Sequence, residues 1–197
     1  MKNILSYKSD KKLKSMMVKE IELHQKQDAL IQGTYSKENG VFKGCAVGCG
    51  VRSLNLKLGK HISYNDHASY ASELGIPEWL ARLEDSIFEG LSKSDSKKFP
   101  LEFLEAIPVG VDLEPIRFHF QKFLLKENFD RVKKLDLKPE LKDQVLKAID
   151  QVMAVIDGAI KNGKIDESAA WSAWSAAWSA AVVRYKNEII RLLKSAK

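Results

Sequence analysis

The chain has 197 residues with 32 Lys and Arg, 26 Asp and Glu, a formal net charge of +6 and 45% hydrophobic residues. This composition is close to the average of soluble globular domains, which excludes a largely disordered chain, a collagen-like chain and a polytopic membrane protein. Two cysteines are too few for a disulfide framework, which excludes a small secreted scaffold and favours a reducing, cytoplasmic location.

Charge is unevenly distributed along the chain. Basic side chains exceed acidic ones by 7 over residues 1–60 and by 5 over 121–197, whereas acidic ones exceed basic ones by 6 over 61–120. Opposite blocks neutralise one another when packed, which argues against the single large basic face that nucleic-acid binding requires. The N-terminal 1–11 is predicted to be a flexible basic tail, with a phosphate-binding arm as the alternative. The densest basic run consists of Lys8, Lys11, Lys12 and Lys14.

Apolar side chains recur at helical spacing along most of the chain, and no stretch shows the sustained alternation of a strand. The predicted helices cover 12–32, 65–74, a stretch opened by Pro77, a short stretch from Pro100 to Pro108, a longer stretch capped by Asp112, 139–161 and 166–195. The last two are predicted to form an αα-hairpin over 136–197. We therefore expect an all-α fold, with 1–197 forming a single-domain bundle of about six to eight helices.

The last predicted helix is long, rich in Ala, Trp and Ser, and carries an aromatic stripe along one face. The stripe consists of Trp171, Trp174, Trp178 and Tyr185. The uncharged stretch 168–183 is shorter than the about 20 apolar residues that a membrane span needs, so we expect no membrane span. We interpret the stripe as part of the core or as an interface for a protein partner or for self-association.

The glycine-rich segment after residue 40 contains both cysteines, Cys45 and Cys49. Together with His61 and His67, the two thiols form a set whose residue types suit tetrahedral zinc. The same segment resembles the glycine turn of some dinucleotide-binding folds, and its thiols suggest a redox pair. A fourth interpretation, which we favour, needs no cofactor. In this interpretation, the glycines and thiols at i and i+4 are small residues that let a helix pack closely into the core.

A second candidate for chemistry lies on the first predicted helix. His24 and Asp28 are four residues apart, so they are expected to share a helix face on which the carboxylate orients the imidazole as a general base. A surface capping pair is the alternative. A single polar pocket would combine these two residues with Cys45, Cys49, His67 and Glu73. The sequence contains no P-loop, HExxH or GxSxG motif.

Four stretches of the sequence serve as motifs for comparison with known families. They are HQKQDALIQGTY from residue 24, GCAVGC from 44, ELGIPEWLARLEDSIFEGL from 73 and FLEAIPVGVDLEP from 103. Together they resemble an uncharacterised bacterial protein family, with GIPEWLARLED as the most specific phrase. The resemblance implies a discrete family of intracellular proteins, and it implies no particular activity or catalytic residue.

These observations favour an interaction or regulatory module of unknown biochemical function that associates with itself or with a protein partner. One alternative is a hydrolase-like or metal-dependent enzyme whose site is built from His24, Asp28 and the Cys45–Cys49 loop. A second alternative is a nucleic-acid-binding protein that uses its basic segments. Whether the protein is an enzyme stays open on the sequence alone.

Overall fold

The computed structural model describes residues 4–136, 138–162 and 182–196, and most of this part of the chain is helical. The all-α prediction is therefore confirmed. The α-helices are α1 (Lys11–Lys26), α2 (Ala46–Leu58), α3 (Glu78–Gly90), α4 (Lys93–Ser96), α5 (Phe99–Ala106), α6 (Glu114–Lys134), α7 (Pro139–Asn162) and α8 (Val182–Ser195). Among these helices, none combines the length and the apolarity needed to cross a membrane.

The chain divides into two compact units. The first consists of Met1–Leu113 and Val182–Lys197, and the second consists of Glu114–Ala181. The chain thus leaves the first unit before α6 and returns to it with α8. The prediction of one domain over the whole chain stays a prediction.

The N-terminal segment is packed from Leu5 onward, so the flexible tail predicted over 1–11 is corrected for these residues. The backbone N–H of Ser6 donates to the carbonyl of Val111 at 2.9 Å. The ring of Tyr7 is fully buried, and its hydroxyl donates to the carbonyl of Leu104 at 2.7 Å. The buried ring and its long-range hydrogen bond hold the segment, which forms a 3-10 turn over Ser6–Ser9.

Helix α1 is shorter than the helix predicted over 12–32. It begins after Asp10, whose side chain accepts from the backbone N–H of Lys12 at 2.7 Å and caps the helix. It ends at Lys26, because Asp28 adopts a left-handed conformation with a φ of +53° that no α-helix contains. The inward face of α1 buries Met17, Ile21 and His24.

A small hairpin that the sequence analysis did not predict precedes α2. Its antiparallel strands are β1 (Lys37–Asn39) and β2 (Val41–Lys43), joined at Gly40, whose φ is +84°. A turn this tight needs a positive φ, which glycine adopts without strain. Helix α2 follows directly and ends at Gly59, which is also left-handed.

Helix α3 matches the helix predicted from Pro77, with Pro77 as its N-cap and an apolar stripe facing the core. The stripe consists of Leu80, Leu83 and Ile87. Helices α5 and α8 pack against α3, and α8 contributes the fully buried Ile189 and Leu193. The predicted helix over 65–74 is shorter in the structure, where residues 68–74 are helical and Tyr70–Leu74 form a π-helical turn.

The second unit contains α6 and α7, which pack against each other and are joined by an ion pair between Lys122 and Asp157 at 2.5 Å. The hairpin predicted over 136–197 paired α7 with the C-terminal helix. The structure instead assigns α8 to the first unit, and residues 163–181 lie outside the described residues. The predicted interface residues Trp171, Trp174 and Trp178 lie there too, while Tyr185 belongs to α8.

Candidate functional site

The start of α2 is held against the loop that follows α1. The backbone N–H of Cys45 donates to the carbonyl of Thr34 at 2.8 Å, and that of Gly44 donates to the carbonyl of Ala29 at 2.9 Å. Cys45 is the N-cap of α2, and its sulfur accepts from the backbone N–H of Gly48 at 3.4 Å. Hydrogen bonds on both sides therefore fix the position of the Cys45 thiol.

Helix α3 supplies two carboxylates to the same place. Asp85 and Glu89 are four residues apart, so they lie on one face of α3. The Glu89 carboxylate accepts from the backbone N–H of Gly33 at 2.8 Å. The amide of Gln32 donates to the carbonyls of Phe88 at 2.8 Å and of Leu91 at 2.9 Å, which fastens the loop to the end of α3. These contacts bring α3 to the start of α2.

The resulting cluster is formed by Cys45, Asp85 and Glu89, and we call it the thiol–carboxylate cluster. One ligand atom from each residue lies within 4.8 Å of the other two. Cys45 is 1% exposed and Asp85 is 8% exposed, whereas Glu89 is open to solvent. The Oδ1 atom of Asp85 is buried and has no hydrogen-bond partner among the residues that the structure describes.

His67 borders this cluster through Asp85. Its Nε2 atom lies 3.2 Å from Oδ2 of Asp85, and its Nδ1 atom lies 3.0 Å from the carbonyl oxygen of Asn65. The rings of Tyr35 and His67 are nearly perpendicular, with their centroids 5.7 Å apart. The imidazole thus fixes one oxygen of Asp85 and leaves the other oxygen for the cluster.

The electrostatics of the cluster disfavour its charged forms. Burial, and then the proximity of Asp85, raise the pKa of the Cys45 thiol far above its usual range. Burial also raises the pKa of Glu89, to which Asp85 again contributes. Acidic groups held this close repel one another when ionised, and a bound cation would remove that repulsion and deprotonate the thiol.

The arrangement does not resemble that of a catalytic cysteine. A nucleophilic thiol is activated by an adjacent imidazole or by a depressed pKa. Here the carboxylate of Asp85 lies between the thiol and the imidazole of His67, and the pKa of Cys45 is raised. A thiol, two carboxylates and a nearby imidazole are instead groups that bind zinc.

The structure does not bring His24 and Asp28 together. His24 is buried, its Nε2 atom lies 3.2 Å from the hydroxyl of Ser53, and burial lowers its pKa. Asp28 lies beyond the end of α1, is exposed, and pairs with Lys97 and Lys43. The predicted general-base pair depended on a shared helix face, and the helix ends before that face is formed.

The other predicted residues are also dispersed. Cys49 is fully buried, and its thiol lies 3.5 Å from the carbonyl oxygen of Gly44. Burial raises the pKa of Cys49 to about 12. His61 is exposed, and Glu73 pairs with Lys60 at 3.3 Å.

The zinc set predicted from Cys45, Cys49, His61 and His67 is therefore not assembled. Of these four residues, Cys45 belongs to the thiol–carboxylate cluster and His67 borders it. The single polar pocket predicted from His24, Asp28, Cys45, Cys49, His67 and Glu73 is likewise not formed, because Asp28 pairs with Lys97 and Lys43, and Glu73 pairs with Lys60.

Sequence analysis missed Asp85 and Glu89. In the sequence, the adjacent acids Glu84 and Asp85 are typical of a solvated helix face, and the structure instead buries both of them. A buried acid needs a partner, which makes it a candidate site residue.

In comparisons with known proteins, no family model, no curated protein and no solved structure matches this chain. The resemblance to an uncharacterised bacterial family stays a prediction, and the function has to be inferred from the geometry.

Proposed function

We propose that this protein binds a divalent transition-metal ion, zinc, through the thiol–carboxylate cluster. The observation that carries the proposal is the convergence of the Cys45, Asp85 and Glu89 ligand atoms within 4.8 Å, with Oδ1 of Asp85 buried and unpartnered among the described residues. A buried carboxylate oxygen without a hydrogen bond is costly, and a cation at this position would remove the cost.

The donor set and its spacing support zinc. Thiolate sulfur selects soft or borderline ions, whereas magnesium and calcium prefer oxygen ligands alone. In a tetrahedral zinc site with ordinary bond lengths, two ligand atoms lie roughly 3.4–3.6 Å apart. Atoms that already lie within 4.8 Å of one another reach that separation by small side-chain rotations.

Three protein ligands leave one coordination position for water or substrate, as in catalytic zinc sites. Glu89 is the exposed member of the cluster, so this position would face solvent on the Glu89 side. His67 would act as a positioning residue, because its imidazole holds the second oxygen of Asp85. Among the functions expected from the sequence, this site favours the metal-dependent enzyme, with a different set of residues.

The first experiment measures metal content by plasma mass spectrometry on protein purified with reductant and without chelator. We expect zinc close to one ion per chain in the unmodified protein. Cys45→Ala and Asp85→Asn should lose the ion, and His67→Ala should bind it about 10–100-fold more weakly. Cys49→Ala is the matched control, because this buried thiol belongs to the same segment and lies outside the cluster.

Thermal unfolding supplies the second readout. Zinc at about 100 times its dissociation constant stabilises the folded state by about 2.7 kcal/mol, which raises Tm by roughly 5–10 °C for a chain of this size. We expect this shift in the unmodified protein and in Cys49→Ala, and no shift in Cys45→Ala. Folded protein that neither contains zinc nor gains stability from added zinc would contradict the proposal.

A further inference from the structure

The exposed side of α1 carries lysines that nothing in the described structure neutralises. Lys11, Lys12 and Lys19 are exposed, and we call them, together with the exposed Ser15 between them, the α1 basic face. None of the three lysines forms an ion pair or a side-chain hydrogen bond with a residue that the structure describes.

Neighbouring charges already have partners. Lys57 pairs with Glu20 at 3.0 Å, so these two cancel each other beside the face. The ammonium of Lys14 donates to the carbonyls of Glu105 at 2.8 Å and of Ile107 at 2.6 Å, which ties α1 to the end of α5. Around α1, the positive charge that has no partner among the described residues therefore lies on Lys11, Lys12 and Lys19.

Two shallow grooves flank this face and share Ser15 and Lys19. One has a volume of about 720 Å³ and runs along Lys11 and Val18 toward Glu105. The other has a volume of about 310 Å³ and runs along Lys12 toward Glu20 and Lys57. The face is thus a ridge with open space on both sides, and an extended ligand could follow it.

We propose that the α1 basic face binds the phosphodiester backbone of a double-stranded nucleic acid without sequence preference. Lys12 and Lys19 are seven residues apart, which places them roughly 10–11 Å apart along the helix axis. This separation is close to the about 12 Å width of the major groove of duplex DNA, so the two ends of the ridge can contact phosphates on both sides of the groove. A membrane surface fits less well, because Met16 and Val18 are only half-exposed and no bulky apolar side chain protrudes from the ridge.

Fluorescence anisotropy of a labelled 20-base-pair DNA duplex, titrated with the full chain at several salt concentrations, tests the proposal. We expect non-specific affinity, with a dissociation constant on the order of 1–100 μM. The logarithm of the binding constant should fall with the logarithm of salt concentration with a slope of roughly −3 for three phosphate contacts. Replacing all three lysines in Lys11→Gln, Lys12→Gln and Lys19→Gln should abolish most of this slope, about one unit per lysine.

The matched control removes the same charge from the second unit. It carries Lys126→Gln, Lys134→Gln and Lys147→Gln on α6 and α7, all at exposed positions. We expect it to keep the affinity and the salt slope of the unmodified protein. Equal loss in both triple variants would mean that net charge alone is responsible, and it would overturn the proposal.

Two further binding experiments, with other ligands, identify the kind of partner. An RNA duplex of the same length shares the phosphate backbone but has a deep, narrow major groove, so we expect it to bind more weakly than the DNA duplex. Tighter binding to RNA than to DNA would contradict the fit of the ridge to the DNA major groove. Anionic phospholipid vesicles probe the membrane alternative. Binding to vesicles without binding to either duplex, or no binding to any of the three at low salt, would overturn it. Zinc content of the lysine variants should stay unchanged, which separates this proposal from the metal site.

Discussion

Among single residues, the most unusual is a buried carboxyl group next to the proposed metal site. Glu84 is 1% exposed, and its Oε2 atom has no hydrogen-bond partner among the described residues. Burial, and then the neighbouring Asp85, raise the pKa of Glu84 well above its usual value. Burial therefore favours the protonated, neutral form of Glu84 in the folded protein.

Protonation of Glu84 makes stability depend on pH. In the unfolded chain Glu84 has an ordinary pKa near 4.5, whereas the folded chain keeps the proton to higher pH. The stabilisation from this group is fully present below the unfolded pKa and is lost as pH rises through the folded pKa. Glu84→Gln keeps the shape and cannot ionise. We expect it to be the more stable protein at pH 8 by on the order of 1 kcal/mol, measured by urea unfolding.

Glu78→Gln on the same helix is the control for this prediction. Glu78 pairs with Arg82 at the surface, so its replacement should change the free energy of unfolding by less than about 1 kcal/mol at pH 5 and at pH 8. A profile of Glu84→Gln that runs parallel to that of the unmodified protein from pH 5 to pH 8 would contradict the assignment of Glu84 as a buried neutral acid.

At the scale of the elements, the approach of α2 to the loop after α1 depends on a missing side chain. A Cβ atom added at Gly48 would lie 1.9 Å from the carbonyl oxygen of Tyr35, closer than any real contact. Because that oxygen is backbone, only a movement of the loop or of α2 can relieve the clash. We expect Gly48→Ala to destabilise the protein by about 1–3 kcal/mol in urea unfolding, and to weaken zinc binding because Cys45 starts α2.

Gly158 is a glycine at which an added side chain would meet open space rather than a clash. It lies inside α7 with nothing within 4 Å of an added Cβ atom. Since alanine is a better helix former than glycine, Gly158→Ala should stabilise its helix by up to about 1 kcal/mol. If both substitutions shifted stability in the same direction, the close approach at Gly48 would not be the cause of the first effect.

The elements also show what sequence patterns can and cannot predict. The apolar stripe after Pro77 was sufficient to predict α3, because a helix of that length has a strong local signal. The early end of α1 was not predictable, because Asp28 is bonded to Lys97, 69 residues further along the chain. The thiol–carboxylate cluster depends likewise on the packing of α3 beside the start of α2. Local spacing contains no information about such a contact.

On the scale of the whole molecule, the first unit is built from segments separated by 68 residues, Glu114–Ala181. Helix α8 completes it. Its residues Ile189 and Leu193 are fully buried, it packs against α3 and α5, and Lys186 pairs with Glu102 of α5 at 2.5 Å. The first unit therefore gains its last core residues only after the second unit has been synthesised. The helix that carries Asp85 and Glu89 is one of the two that α8 covers.

This arrangement predicts that one side chain of α8 affects the distant start of the chain. Leu193→Ala should lower the free energy of unfolding by about 2–5 kcal/mol, because it leaves a cavity in a core shared with α3 and α5. Leu141→Ala on α7 removes the same atoms from a side chain that is 48% exposed, and it should change stability by less than about 0.5 kcal/mol. Hydrogen exchange should show faster opening of α1 to α5 in Leu193→Ala, and unchanged exchange in those helices would mean that α8 is not part of their cooperative unit.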